Sequence, residues 1–282
     1  MQNVRIYAFA DEVSSSIDNQ IAAMQRNKLN GLEIRNVDGT NVSEISLEKA
    51  TEVRKKLEHN GLSVWSIGSP IGKTDIYGDF KNDIESFKHT LELAHILNAE
   101  NIRIFSFFVP QDKDPSEFKN EVIDRLGTFA DIASGSGITL CHENEKGIYG
   151  DNAERCLDIL KAVPQIKGIF DPANFIQCGV DTLKAWDILG DYIKYMHIKD
   201  AMSDGRVVPA GCGEGNVCEI VRKYINNGGS AFTIEPHLAL FDGLAELERE
   251  GEKSNISGFV YKSNDEAFDA ACNAFKDILE GI

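Results

Sequence analysis

The sequence predicts a (β/α)8 barrel, built as a single domain over residues 1–282. Three observations lead there. Short apolar, β-prone runs alternate with helical stripes eight times, and that alternation implies a parallel sheet. The strand starts recur roughly every 30 to 40 residues, as an eight-unit barrel of about 250 residues requires. No Pro/Ser-rich linker, low-complexity tract or shift in composition marks a second domain. A doubly wound open sheet is the runner-up.

Val4 to Ala10 mixes Val, Ile, Tyr and Phe and reads as the first buried strand, ended by Asp11-Glu12. Ile17, Ile21 and Met24 then fall at helical spacing. Gly31 to Val37 is the second strand, and Ala50, Val53 and Leu57 carry the next helix, stopped by Gly61. Leu62 to Gly68 is the third strand, and Ile84, Phe87, Leu91 and Ala94 mark the third helix. Asn101 to Val109 is the fourth strand, ended by Pro110, and a helix follows from about Pro115 to Ala133. Ile138 to His142 is the fifth, followed by a helix with Ala153, Cys156, Leu157 and Leu160 on one face. Ile166 to Phe170 is the sixth, followed by a helix around Leu183 to Leu189. Ile193 to Ile198 is the seventh. A loop with Gly211, Gly213 and Gly215 leads into a helical stripe of Val217, Ile220, Val221 and Tyr224. Ala231 to Ile234 is the eighth strand, and Ala267, Phe268, Ala271, Ala274 and Phe275 lie on the last helix. Between them Ala239 to Tyr261, with Glu246, Glu248, Glu250 and Glu252, reads as an exposed excursion, a candidate lid or contact in a homo-oligomer.

The bulk numbers narrow the function. A net charge of −16 opposes binding to nucleic acid or an anionic membrane, both of which need clustered Lys/Arg. No apolar run approaches the roughly 18 residues of a membrane span, and the N-terminus reads directly into a strand with no secretory pattern. The six cysteines show no C-x-x-C spacing, so free buried thiols in a reducing cytoplasm are expected.

Four residues at the ends of the last four strands carry the chemistry: Glu143, Asp171, His197 and Glu235. In a (β/α)8 barrel strand C-termini line one mouth, with neighbouring strands about 4.8 Å apart. Three oxygen donors and one imidazole then suit a divalent metal, Mn²⁺, Mg²⁺, Co²⁺ or Zn²⁺, with positions left for substrate oxygens. Each residue also has a structural reading. Glu143 suits a helix start, Asp171 before Pro172 a turn, His197 a hydrogen-bonded core site, and Glu235 before Pro236 a strand end. Joint placement favours the metal.

The run His197-Ile-Lys-Asp-Ala followed by Gly211-Cys-Gly-Glu-Gly-Asn resembles a segment of the xylose-isomerase-like TIM-barrel superfamily. Glu143-Asn144 and Phe170-Asp171-Pro-Ala-Asn174 also fit its pattern. The resemblance spans essentially the whole chain. It implies that Glu143, Asp171, His197 and Glu235 are metal ligands and that Glu143 and Glu235 are also an acid/base pair. The implied activity is sugar or sugar phosphate isomerisation or epimerisation, by proton abstraction next to a carbonyl through a metal-bound enediolate. Two departures bear on substrate. Asn174 stands where ketose 3-epimerases carry a histidine, and Ser203 where they carry an arginine. Lys199 and Asp200 instead match the inosose dehydratase and sugar-phosphate isomerase branches, which keeps a dehydratase on a keto-polyol in view.

Lys199, Asn174, Arg35 and Asp200 are the expected substrate contacts. Glu33 and Arg35 on strand two also fit an internal salt bridge, Lys73 a solvated position, and His142 and His237 supporting roles beside ligands. An endonuclease-IV-like phosphodiesterase needs more metal-binding histidines than six with three on helices can supply. A non-catalytic sugar-binding barrel has no need for two opposed glutamates.

Overall fold

The computed structural model describes residues 4–242, 244, 256 and 260–282. Eight strands close into a parallel barrel: β1 (Arg5–Ala8), β2 (Gly31–Ile34), β3 (Ser63–Ile67), β4 (Asn101–Ile104), β5 (Thr139–Glu143), β6 (Lys167–Phe170), β7 (Ile193–Ile198) and β8 (Ala231–Ile234). Each strand pairs with its sequence neighbours, and β8 returns to β1. The (β/α)8 expectation holds and the open-sheet alternative falls, because β1–β8 pairing leaves no edge.

The helices pack outside the barrel. They are α1 (Ile17–Arg26), α2 (Leu47–His59), α3 (Phe80–Leu97), α4 (Lys119–Ala133), α5 (Ala153–Ala162), α6 (Pro172–Gln177), α7 (Thr182–Leu189), α8 (Val217–Asn226) and α9 (Asn264–Glu280). Their apolar stripes, such as Ala50, Val53 and Leu57 on α2, are buried against the outer faces of the strands.

Two strands end well short of the sequence reading, and one short helix is additional. β4 stops at Ile104, and Phe105–Val109 turns across the mouth, with Phe107 at φ +62°. Ser106 explains the departure: its Oγ lies 3.0 Å from His142 Nε2 and accepts from Gly150 N at 2.8 Å, tying that segment to the loop after β5. β2 stops at Ile34, because Asn36–Val37 pairs with Thr40–Asn41 in a small hairpin. The short helix α6 is additional, capped by the Asp171 side chain and opened by Pro172 at its first turn. The 239–261 excursion lies largely outside the described residues.

Inside the barrel the strand period of two sets the layers. A buried aromatic floor contains Tyr7, Trp65, Cys141 and Tyr195, with Tyr7 and Trp65 stacked at 5.1 Å. Two residues further along their strands come Phe9, Glu143 and His197, while on β3 a bulge turns Ser66 inward and leaves Ile67 in the outer core. From the even strands come Glu33, Arg103, Ile169 and Thr233, and two residues beyond these Arg35, Phe105, Asp171 and Glu235. The change from aromatic to ionic therefore takes place within about one pleat repeat, roughly 7 Å along the axis.

All six cysteines are free thiols, but Cys212 and Cys218 are exposed on the Gly-rich loop and the start of α8, so burial holds for Cys141, Cys156 and Cys272 only. Among the described residues no helix is long and apolar enough to cross a membrane.

Candidate active site

Register brings the four strand-end residues together. Phe170 pairs with Met196, so Asp171 lies beside His197; Thr233 pairs with His197, so Glu235 follows two residues on. His197 Nδ1 is 2.9 Å from Glu143 Oε1, 3.5 Å from Glu235 Oε2 and 3.8 Å from Asp171 Oδ2. One ligand atom from each of Glu143, Asp171, His197 and Glu235 lies within 4.8 Å of the others, and all four residues are buried.

Asn144 fixes the spacing of two of them. Its Oδ1 accepts from Asp171 N at 2.9 Å and its Nδ2 donates to Asp171 O at 3.0 Å, clamping the end of β5 to the end of β6. Asp171 Oδ1 caps α6 by accepting from Asn174 N at 2.9 Å. Its Oδ2 is buried with no well-aligned hydrogen bond, although Lys199 Nζ lies 2.9 Å away.

Each glutamate has its own arginine. Arg103 Nη1 donates to Glu143 Oε2 at 3.1 Å, and its other nitrogens donate to the carbonyls of Gly68 and Ser69. Arg35 Nη1 donates to Glu235 Oε1 at 3.2 Å. Its Nε and Nη2 grip Asp11 at 2.8 and 3.1 Å, and Nη2 also reaches Glu12 at 3.3 Å. The Phe9 ring lies near both guanidinium carbons, at 4.4 Å from Arg35 and 5.0 Å from Arg103.

These neighbours set the ionisation. Burial alone pushes the Glu143 carboxyl up, but the charges of His197 and Arg103 outweigh it and bring it down to about 2. Burial likewise opposes Glu235, and Lys199, His237, His197 and Arg35 together hold it well below the usual carboxylate range. Burial wins at Asp171 and raises it to about 6, against the pull of Lys199. Burial lowers His197, but Glu143 and Glu33 outweigh that and raise it to about 10.

The residues present fit a divalent cation. Three carboxylates and an imidazole form a hard-to-borderline donor set. At the mouth the buried carboxylates Asp11, Glu12, Glu33, Glu143, Asp171 and Glu235 outnumber the buried Arg35, Arg103, Lys199 and His197. Asp171 Oδ2 has the Lys199 ammonium 2.9 Å away but no well-aligned hydrogen bond, so a better-placed cation would satisfy it. Glu12, Glu235 and His237 also approach within 4.8 Å. In that cluster the Arg35 guanidinium contacts Glu12 Oε1 and Glu235 Oε1, as the Lys199 ammonium contacts Asp171 Oδ2 and Glu235 Oε2 in the first.

The expected substrate contacts divide. Lys199 Nζ sits at the mouth, 2.9 Å from both Asp171 Oδ2 and Glu235 Oε2. Asn174 Nδ2 donates to Glu143 Oε1 at 3.2 Å and to Asn144 O at 2.9 Å. Arg35 is enclosed by carboxylates, as described. Asp200 faces away: its oxygens accept from the amides of Ala201, Gly211, Gly213 and Gly215, folding the Gly-rich loop around it. A Cβ on Gly213 would lie 2.4 Å from Asp200 Oδ1, which explains a glycine there. Lys73, read as solvated, pairs with Glu145 at 2.9 Å beside the mouth.

Sequence reasoning missed Arg103. A single arginine inside the apolar run Asn101-Ile-Arg-Ile was the available signal, since a charge on a buried strand needs a partner. It also passed over Asp11 and Glu12 as a strand stop, although they hold Arg35.

A family model described as xylose isomerase-like TIM barrel matches residues 21–237. The chain belongs to that family. Among solved structures, the IolI protein with a bound zinc atom aligns with TM-score 0.73 at 16% identity, over 98% of each chain. The probable 3-DHS dehydratase AsbF of Bacillus anthracis aligns with TM-score 0.72 at 16% identity, over 96% of this chain and 98% of that one. The 3-keto-D-glucoside 4-epimerase YcjR of E. coli aligns with TM-score 0.70 at 13% identity, over 99% of this chain and 100% of that one. At these identities the likeness is one of fold. No curated protein sequence gives a significant match.

Proposed function

We propose that the protein is a divalent-metal-dependent isomerase or epimerase of a sugar or sugar phosphate, with Glu143 and Glu235 as its proton carriers. The observation that carries this reading is the convergence of Glu143, Asp171, His197 and Glu235, buried, within 4.8 Å of one another. The zinc in the IolI structure supports a metal on this fold.

A bound divalent ion supplies Lewis acidity that makes a C–H beside a substrate carbonyl acidic. The chain's residues carry the rest. His197 and Arg103 keep Glu143 ionised, and Lys199, with His237, His197 and Arg35, keeps Glu235 ionised, as a proton acceptor must be at the outset. The two glutamates arrive from strands three places apart in the barrel. One takes the proton. The other returns one to the same carbon, inverting it, or to its neighbour, moving the carbonyl. Lys199 Nζ supplies the ammonium that meets the negative charge developing on the substrate oxygen. Asn174 Nδ2 holds Glu143 Oε1 in place.

Lys199 also favours a second reading. An ammonium placed between Asp171 and Glu235 can hydrogen-bond a departing hydroxyl, and when the glutamate that took the C–H proton passes it to that oxygen the same C–H cleavage ends in loss of water. The likeness to a probable dehydratase fits this course.

The test is turnover in D2O with Mn²⁺, Mg²⁺, Co²⁺ or Zn²⁺ and a panel of ketoses, their phosphates and keto-polyols. Isomerase or epimerase action puts solvent deuterium into an isomeric product. Dehydration gives a product lighter by one water. Ligand binding with no exchange across the panel removes the enzyme reading in favour of a binding barrel.

A further inference from the structure

Glu33 takes part in none of the steps above, yet its carboxylate is completely buried. A buried carboxylate is costly unless its oxygens are satisfied. Both are. Oε1 accepts from Tyr195 Oη at 2.8 Å, and Oε2 lies 3.1 Å from His197 Nε2. Tyr195 Oη in turn lies 3.1 Å from Ser66 Oγ. Register builds this chain: Glu33 pairs directly with Ser66 across β2 and β3, and Tyr195 is two residues before His197 on the same face of β7.

The His197 ring is thereby fixed at both ends. Nε2 faces Glu33, away from the mouth. Nδ1 faces the three carboxylates. Phe9 packs edge-on against the ring at 5.3 Å and restricts its rotation.

We propose that Glu33 is the positioning residue of the metal site: by accepting the Nε2–H of His197 it presents Nδ1 as the ligand and raises the affinity for the ion. The Tyr195–Ser66 pair holds Glu33 for this task. The inference rests on the metal reading given above. A carboxylate behind a ligating histidine fixes the tautomer and the ring plane, and its loss typically lowers metal affinity about 10- to 100-fold.

The experiment compares wild type, Glu33→Gln and Tyr195→Phe, each loaded with Co²⁺ or Zn²⁺ in competition with a chromophoric chelator. Circular dichroism and thermal melting check that each variant is folded. Glu33→Gln is expected to bind metal about 10- to 100-fold more weakly, with a changed Co²⁺ visible spectrum. Tyr195→Phe is expected to bind more weakly by a smaller factor. Imidazole ¹⁵N NMR of the Zn²⁺-loaded wild type is expected to show metal on Nδ1 and a proton on Nε2 of His197. The NMR result decides the matter even if Glu33→Gln does not fold. Metal on Nε2, or Glu33→Gln affinity within twofold of wild type, overturns the role of Glu33 and leaves the metal reading standing. A wild type that takes up no divalent ion overturns both.

Discussion

The two glutamates of the mouth are anchored in opposite ways. Glu143 belongs to a tightly tied half: Arg103 donates to it and to two backbone carbonyls, Asn174 donates to its other oxygen, and His197 lies against that oxygen. Glu235 belongs to a half whose side-chain hydrogen bonds come from shared cations: Arg35, shared with Asp11 and Glu12, and Lys199, shared with Asp171. Backbone carbonyls stay where the strands put them, whereas a web of side-chain ion pairs rearranges when one partner moves. The contrast suggests a fixed proton carrier at Glu143 and a more responsive one at Glu235, where Lys199 also sits.

The largest effect expected is on turnover. Glu143→Gln and Glu235→Gln should each lower kcat by about 10²- to 10⁴-fold. Scoring solvent exchange separately from product formation shows which half acts first. The variant that still exchanges substrate deuterium but forms no product lacks the second carrier, and equal loss of both in the two variants would erase the division of labour.

Next come the arginines. Removing one partner of a buried ion pair strands the other, at about 3–5 kcal/mol. Arg35→Met takes the ion-pair partner from Asp11 and one partner each from Glu12 and Glu235, whereas Arg103→Met takes one partner from Glu143, which keeps His197 and Asn174. Urea denaturation should therefore rank Arg35→Met as the less stable protein. The reverse order would mean that the carbonyl contacts of Arg103 outweigh the three-carboxylate cluster.

Metal removal tests both halves at once, since in the proposed centre each would contribute a ligand. At an ion concentration 100 times Kd the folded state gains about 2.7 kcal/mol. Stripping the ion with a chelator should lower Tm by several degrees, and Glu143→Gln and Glu235→Gln should each reduce that difference. An unchanged Tm on chelation contradicts the proposed centre.

Asn174→Ala is the smallest change. It removes one donor to Glu143 and one to the Asn144 carbonyl, and should cost about 1–3 kcal/mol in stability. Because Asn174 touches only the tied half, its loss should affect kcat and leave exchange through Glu235 intact. Following both at a saturating substrate concentration checks this.

Some of this was legible in the chain alone. Strand alternation, helical stripes and the spacing of turns determined the barrel, because period and propensity are local properties. Glu143, Asp171, His197 and Glu235 could be chosen because each ends a β-prone run, and in this fold strand ends share a mouth. Tertiary structure alone decided which neighbouring charges meet them. Asp200 lies three residues beyond His197 yet turns into the Gly-rich loop, because four amides outcompete the mouth for its oxygens. Glu33 and Arg35, two residues apart on adjoining turns of the pleat, look alike in sequence. One lies behind His197 and the other beside Glu235. That difference depends on which side chains the barrel closes around each charge, and burial makes such pairing decisive, because an ion removed from water needs partners that lie far away in the sequence.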